Sequence, residues 1–303
     1  MASLPDGGLA PALPHAGCSV RRLWVLAIPM LCAVTVQAQS MRPFSTFRQL
    51  HGQTRLAARL EYGAGSLRIQ PGSPQELYRM NLSYDEERFL PISDFDASSS
   101  AVTLGLKARG EGGVRVVSRK QLSQAAVVSI SPRVDLDLEL SLGAVDADLE
   151  LGGLRISELD LNTGASEATV RFSRPNGMRC RRAAFSAGAA EVTLIGLGNS
   201  RCQEITFDGG VGNVVLDFGG STSTSAHVAV TMAVGGITLR LPRGTGVRVT
   251  MDKFLSTFEP AGLSRQGSAY LSSNYNKAER RLDFDLTTAV GDVDVEWIEG
   301  SER

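Results

Sequence analysis

Histidine is nearly missing from this chain: three in 303 residues, of which only His51 and His227 lie beyond the first forty. Neither stands at metal-ligand spacing from the other or from a cysteine pair, so both read as surface or capping side chains and no metal site is expected. Aromatic residues make up 6%, which leaves few rings for the platforms that bind sugars. Charge of one sign is also lacking. The formal net charge is −1, so the sequence-independent attraction to phosphate is absent and no nucleic-acid partner is expected. No nucleophile elbow, P-loop or dinucleotide fingerprint occurs. Gly209-Gly210-Val211-Gly212-Asn213 begins like a calcium-binding nonapeptide, but Val214 replaces the aspartate and the motif does not recur. These gaps point to no catalytic residue and no cofactor.

Long apolar runs are missing too. Leu23 to Val36 is too short to span a bilayer comfortably. Behind Arg21 and Arg22, and ahead of Val36-Gln37-Ala38, it reads as a signal peptide over residues 1–38 with Gln39 as the mature start. An uncleaved anchor is the alternative. No second stretch of spanning length follows, so no transmembrane span is expected after cleavage. The expectation is an exported protein: periplasmic, cell-surface or secreted.

What the chain has is glycine, 32 residues of it, and short alternating runs of Val, Thr, Ile and Phe. Seven segments share one form, in which apolar alternation leads into a small-residue bend and out again: ARLEYGAGSLRI, LELSLGAVDADL, LDLNTGASEATV, AAFSAGAAEVTL, ITFDGGVGNVVL, VAVTMAVGGITL and FDLTTAVGDVDV. Their first bend residues are Gly63, Gly143, Gly164, Gly188, Gly210, Ala233 and Ala289. The run from Gly143 to Ala233 advances by 21, 24, 22 and 23 residues, a period that suits one coil of a repeat stack. In every copy after the first, the positions three and five before the bend, and four and six after it, are apolar. Examples are Leu138 and Leu140 with Ala147 and Leu149, and Ala183 and Phe185 with Val192 and Leu194. These are strands with one buried face. The spacing predicts an all-β, single-domain β-solenoid with irregular caps at both ends, formed by Pro71 to Arg133 and by Pro242 to Leu282. Residues 39–133 hold the first repeat and a cap, and residues 134–303 the repeat region. Antiparallel hairpins in a sandwich are the competing architecture.

RLEYGAGSLRIQPGSPQELYRMNLSY and SLGAVDADLELGGLRISELDLNTGASEATV resemble the toast-rack family of bacterial envelope proteins. GITLRLPRGTGVRV and YLSSNYNKAERRLDFDLTTAVGDVDVEW are similar to the C-terminal domain of the cell-wall-active antibiotics response proteins and to related adhesin-like domains. The resemblance implies an envelope location and no catalytic residues. Members with a regulatory role carry transmembrane helices ahead of this domain, and this chain has only its signal-like segment.

Two constellations remain. Asp146, Glu167 and Glu191 hold the same outward position in successive copies and would stack as an acidic ladder, either a solvated face or a stripe for a cation or basic partner. Four positions on, Glu150 would face Arg171 and Asp217 would face Arg240, as favourable pairs. Cys180 and Cys202 each precede their bend by eight positions. Equivalent places in stacked coils lie about 4.8 Å apart, within disulfide reach. The leading function is a non-catalytic envelope protein, adhesin-like or associated with envelope stress, with an envelope component or protein as partner. A purely structural role fits the sequence equally. The other class is a secreted carbohydrate-active enzyme on a β-helix, which a depression joining two or more carboxylates to a basic residue would favour.

Overall fold

The computed structural model describes residues 41–109, 123–221 and 224–299, and the alternating segments within them are strands. The leader over residues 1–38, and Gln39, lie outside the described residues. The protein is all-β: sixteen strands join one sheet, and the one helix among the described residues is the single turn α1 (Leu197–Ser200). Six of the seven bends lie inside long strands: β2 (Arg55–Pro71), β7 (Asp135–Glu150), β10 (Cys180–Ile195), β11 (Cys202–Asp217), β12 (Ala226–Pro242) and β16 (Arg281–Ile298). The bend at Gly164 falls between β8 (Arg155–Thr163) and β9 (Glu167–Arg171). β2 pairs with β7, β7 with β8 and β9, those two with β10, and then β11, β12 and β16 follow, parallel at every step. The bends are therefore corners within a parallel stack and not hairpin turns.

Pairing resumes in register on the far side of each corner. Between β10 and β11, Ala187 pairs with Gly209 and Ala189 with Val211, while Gly188 and Gly210 between them form no ladder pair. The same gap recurs at Gly63/Gly143, Gly210/Ala233 and Ala233/Ala289. An even number of residues separates the last inward position before the corner from the first one after it, as Gly143 and Ala144 do between Leu142 and Val145. The alternation slips by one, two consecutive residues face out, and both arms bury the same side. Leu138, Leu140, Ala147 and Leu149, and their counterparts in each later copy, are buried in one continuous core.

Glycine is required at two different places. A Cβ at Gly143 would overlap the carbonyl oxygen of Gly63 in the next layer, so the first bend position demands close approach. Positive φ occurs two residues later. Gly212, Gly235 and Gly291 have φ of 144°, 140° and 143°. A side chain at Gly235 or Gly291 would also overlap the carbonyl of the glycine stacked beneath it.

The ends differ from expectation: they are ordered strands and not irregular caps. β13 (Gly246–Glu259) pairs in parallel with β16 along its length and carries an eighth corner, with Phe254 at the bend position between Lys253↔Thr288 and Leu255↔Val290. The last sequence repeat, β16, thus lies between β12 and β13. The hairpin of β14 (Leu263–Gln266) and β15 (Ala269–Ser272) adds to the start of β13 through Ala269 to Leu271. At the opposite end, β5 (Ala101–Ala108) and β6 (Ala125–Ile130) share the outer edge of β2, one on each arm, both parallel to it. β4 (Phe89–Asp96) covers β5, β3 (Glu76–Asp85) covers β6 and β1 (Met41–Gln49) covers β3, all antiparallel. The turns between layers are tied by two buried asparagines. Asn176 exchanges hydrogen bonds with both backbone groups of Ile156, each 2.8 Å, and Asn199 donates to the Phe172 carbonyl while accepting from Ser221.

Val192 pairs with Ala168 and Val214 and is buried between layers. Val192→Asp is expected to cost at least about 3 kcal/mol in urea unfolding, because it buries an unpaired charge; the exposed neighbour change Glu191→Gln should stay within about 0.5 kcal/mol. Burial pushes the Tyr62 phenol well above its ordinary range, and its hydroxyl has no hydrogen-bond partner among the described residues. Tyr62→Phe is therefore expected to leave stability unchanged or raise it by up to about 1 kcal/mol.

Candidate interaction surface

The residues between the inward positions form two outer faces, one per arm, that meet at the corners. On the second arm, Asp146 pairs with Glu167 and Glu167 with Glu191, so the structure stacks all three exposed carboxylates on adjacent strands. Ser66 and Asn213 continue the row on either side. None of the three has an ion-pair partner among the described residues, whereas Asp148, two residues on, is bound by Arg68 and Arg171. Among the described residues no group of three or more His, Cys, Asp or Glu side chains is placed to hold a metal ion.

The two cross-strand ion pairs expected beside the ladder are not made, although their partners are in register. Glu150 stands opposite Arg171, yet its carboxylate accepts from the Gly152 and Ser173 backbone N–H groups while Arg171 turns to Asp148. Asp217 stands opposite Arg240, yet it accepts from the Gly219 N–H at 2.7 Å while Arg240 binds Glu296 at 2.8 Å. Both acids end a strand, where the next turn presents backbone donors that no ladder satisfies.

The first arm carries a constellation that sequence reading missed. Asp137 pairs with Glu158, and Glu139 with Asp160, so four carboxylates sit on β7 and β8. Arginines flank them on both sides: Arg55 binds Asp137 and Arg59 binds Glu139 from β2, while Arg181 reaches Glu158 and Arg182 lies 3.8 Å from Asp160 from β10. The hydrogen bond from Arg55 to Asp137, and then the charge of that carboxylate, hold the guanidinium above its ordinary pKa. Small residues at Ala57, Ala101 and Thr103 leave a depression of about 440 Å³ here, lined by all four acids with Arg59 and Arg182 and by no aromatic ring. The signal was available: at the outward positions before the bend, arginines in the first and fourth copies flank acids in the second and third.

His51 and His227 stand apart. The His51 ring lies 3.1 Å from the Gln49 carbonyl, and His227 lies 3.6 Å from Asp285. Cys180 and Cys202 head the register of β10 and β11 and form a disulfide, with Cα atoms 4.1 Å apart, somewhat closer than ordinary strand spacing.

The profile of a family described as "N-terminal domain of toast_rack, DUF2154" matches residues 36–195. The chain belongs to the toast-rack family. No curated protein matches its sequence. Among solved structures, this toast-rack chain is similar to a proposed cell adhesion protein from Clostridium sporogenes, at 17% identity and a TM-score of 0.46 over 85% of this chain and 100% of that one. It is also similar to a proposed adhesin from Bacteroides fragilis, at 10% identity and a TM-score of 0.37 over 84% of this chain and 97% of the other. Likenesses this low assign no function to the toast-rack chain. No helix among its described residues is long and apolar enough to cross a membrane.

Removing both cysteines (Cys180→Ala with Cys202→Ala) is expected to lower the unfolding free energy by roughly 3 kcal/mol, the loop-closure value for about 20 residues. Thiol titration of the unfolded, non-reduced protein should find neither cysteine free. Glu167→Gln relieves like-charge crowding in the ladder, so it is expected to stabilise by a few tenths of a kcal/mol at low salt and by less at high salt.

Proposed function

We propose that this toast-rack protein is a non-catalytic, exported module of a bacterial cell envelope, whose parallel layers act as a β-solenoid presenting rigid, repetitive faces to an envelope component or protein. The Cys180–Cys202 disulfide carries the reading. A bond between equivalent places of neighbouring repeats persists in an oxidising compartment and not in a reducing one. Family membership supports the same location, and the signal-like leader supplies a route to it. An adhesin-like or stress-associated interaction role fits faces that are extended and held by backbone pairing from layer to layer.

A second reading draws on the depression at Asp137, Glu139, Glu158 and Asp160. It meets the condition, drawn from the sequence, that favours a carbohydrate-active enzyme: carboxylates joined with a basic residue. Against it stand the ion pairs made by Asp137, Glu139 and Glu158 and the lack of an aromatic platform. Glycoside hydrolysis needs one carboxyl to protonate the leaving group and a second to act on the sugar, and three of these four are engaged by arginine.

Expressed at its natural level, the chain is expected outside the cytoplasm, beginning at Gln39 and with both cysteines oxidised, as read by fractionation, N-terminal sequencing and thiol labelling. A cytoplasmic protein with two free thiols would overturn the envelope reading. The catalytic reading predicts hydrolysis of envelope or exported polysaccharides that Glu158→Gln and Asp160→Asn abolish; no release of reducing sugar by the wild type would remove it.

A further inference from the structure

Charge is not spread evenly over the chain. Seven segments lead into the starts of β7, β8, β10, β11, β12, β13 and β16: 131–134, 151–154, 172–179, 196–201, 218–225, 243–245 and 273–280. They hold seven lysines and arginines and one acid, Glu279, in a chain whose formal net charge is −1. Backbone hydrogen bonds stack these turns on one face. Gly177 donates to the Leu154 carbonyl, Asn176 to Asn199, Gly198 to Gly219, Phe218 to Arg240 and Gly246 to Arg280. Arginines on the strands bind carboxylates of a neighbouring layer, as Arg55, Arg171 and Arg240 do. The turn cations do not. Arg174 donates to the Gly152 carbonyl and Arg201 to the Asn176 carbonyl, each at 3.2 Å, which positions the guanidinium and neutralises none of its charge. Arg133, Arg179, Lys277 and Arg280 likewise have no ion-pair partner among the described residues, and Arg243 has the exposed Glu299, 3.4 Å away. The strand-end acids beside the face, Glu150 and Asp217, are held by turn N–H groups. Toward each end of the column the cations line a depression. One of about 710 Å³ holds Arg133 with the Arg155–Asp135 pair, and one of about 510 Å³ holds Arg243, Lys277 and Arg280 with Glu279.

We propose that the turn face is a docking surface for a linear polyanion, a polymer that carries phosphate or carboxylate groups along its length. Like charges on neighbouring layers repel one another, and the turns supply almost no acid to offset them; a chain of oxyanions laid along the column does. Six of the seven cations are arginine, whose planar fork takes carboxylate or phosphate oxygens two at a time. From β7 to β13 the column covers six strand steps, roughly 29 Å, so one polymer segment meets cations in several layers. A single anion meets one or two, and only linkage along a polymer gathers the rest. A polymer fits the face better than a bilayer does. The exposed large apolar side chains, Val211, Val234 and Phe254 among them, lie on strands and none lies in these turns, so the face has nothing to insert among lipids. The proposal rests on the envelope reading for the place where such a polymer is met, whereas binding to a purified polymer tests the face apart from the location.

Calorimetric titration of the purified protein with long-chain polyphosphate and with poly-glutamate is expected to show binding of both, weakening steeply as salt rises from about 50 to about 200 mM. Orthophosphate at equal phosphate concentration should leave the polymer bound. Arg174→Gln with Arg179→Gln, and separately Arg243→Gln with Lys277→Gln, should each weaken binding about tenfold and flatten the salt dependence by about one charge per residue removed. All four side chains are exposed, so thermal unfolding of both variants should match the wild type, and either pair tests the face alone if the other fails to fold. Arg68→Gln with Lys107→Gln removes two charges from strand faces and should leave binding unchanged. Failure of both polymers to bind would overturn the proposal, whichever compartment holds the protein. So would an equal loss in the strand-face variant, which would make overall charge the cause, or displacement of the polymer by orthophosphate. Tighter retention by phosphatidylglycerol vesicles would assign the face to a membrane surface, and tighter binding of single-stranded DNA would assign it to a nucleic acid; either result overturns it.

Discussion

The constraint on which the stack depends is the approach of one backbone to the next at the corners. Parallel strands sit about 4.8 Å apart, and at a corner the chain turns its own peptide toward the layer beneath. Only a hydrogen fits between the Gly143 Cα and the Gly63 carbonyl, or between Gly235 and Gly212. In the copies that begin at Gly210, Ala233 and Ala289, a tight contact and a positive φ coincide two residues on, at Gly212, Gly235 and Gly291. Once that spacing is met, hydrogen bonding runs through both arms, and the hydrophobic residues of each arm fall on those of its neighbours without further adjustment.

The repeat was legible because burial and backbone geometry write the same period into the sequence. Val192 and Phe185 are apolar for the core, and Gly188 is small for the corner, so two independent pressures mark one register; the Cys180–Cys202 pairing followed from that register alone. The eighth layer escaped for the opposite reason. At the end of the stack β13 has β16 on one side and only three β15 residues on the other. Phe254, at the bend position, projects into solvent and is 80% exposed, so the small-residue mark is lost. The end strands β3 to β6 were unreadable as layers because each covers one arm and never turns a corner.

The surface was legible only in part. Which carboxylates share a row follows from register, and Asp146, Glu167 and Glu191 are in that row. Which cation each carboxylate takes does not follow, because unsatisfied backbone donors at strand ends compete for it. Glu150 and Asp217 both turn to turn amides, and the arginines opposite them move on to Asp148 and Glu296. On the first arm, arginines on β2 and β10 bind the carboxylates of β7 and β8 from either side, which offsets the like charges that the β7–β8 pairing sets opposite each other.

The disulfide has a mechanical meaning as well as a thermal one. It closes a loop of 22 residues in sequence separation around the whole of β10. If the chain is pulled from its two ends, tension passes from Cys180 to Cys202 through the sulfurs and bypasses that layer. Roughly 70 Å of contour, counted at the extended length per residue, is withheld from any stretching of the molecule. The layer so protected lies mid-stack, between the arms of β8, β9 and β11. A molecule unravelled from either end under load would keep its central rung until a reductant released it.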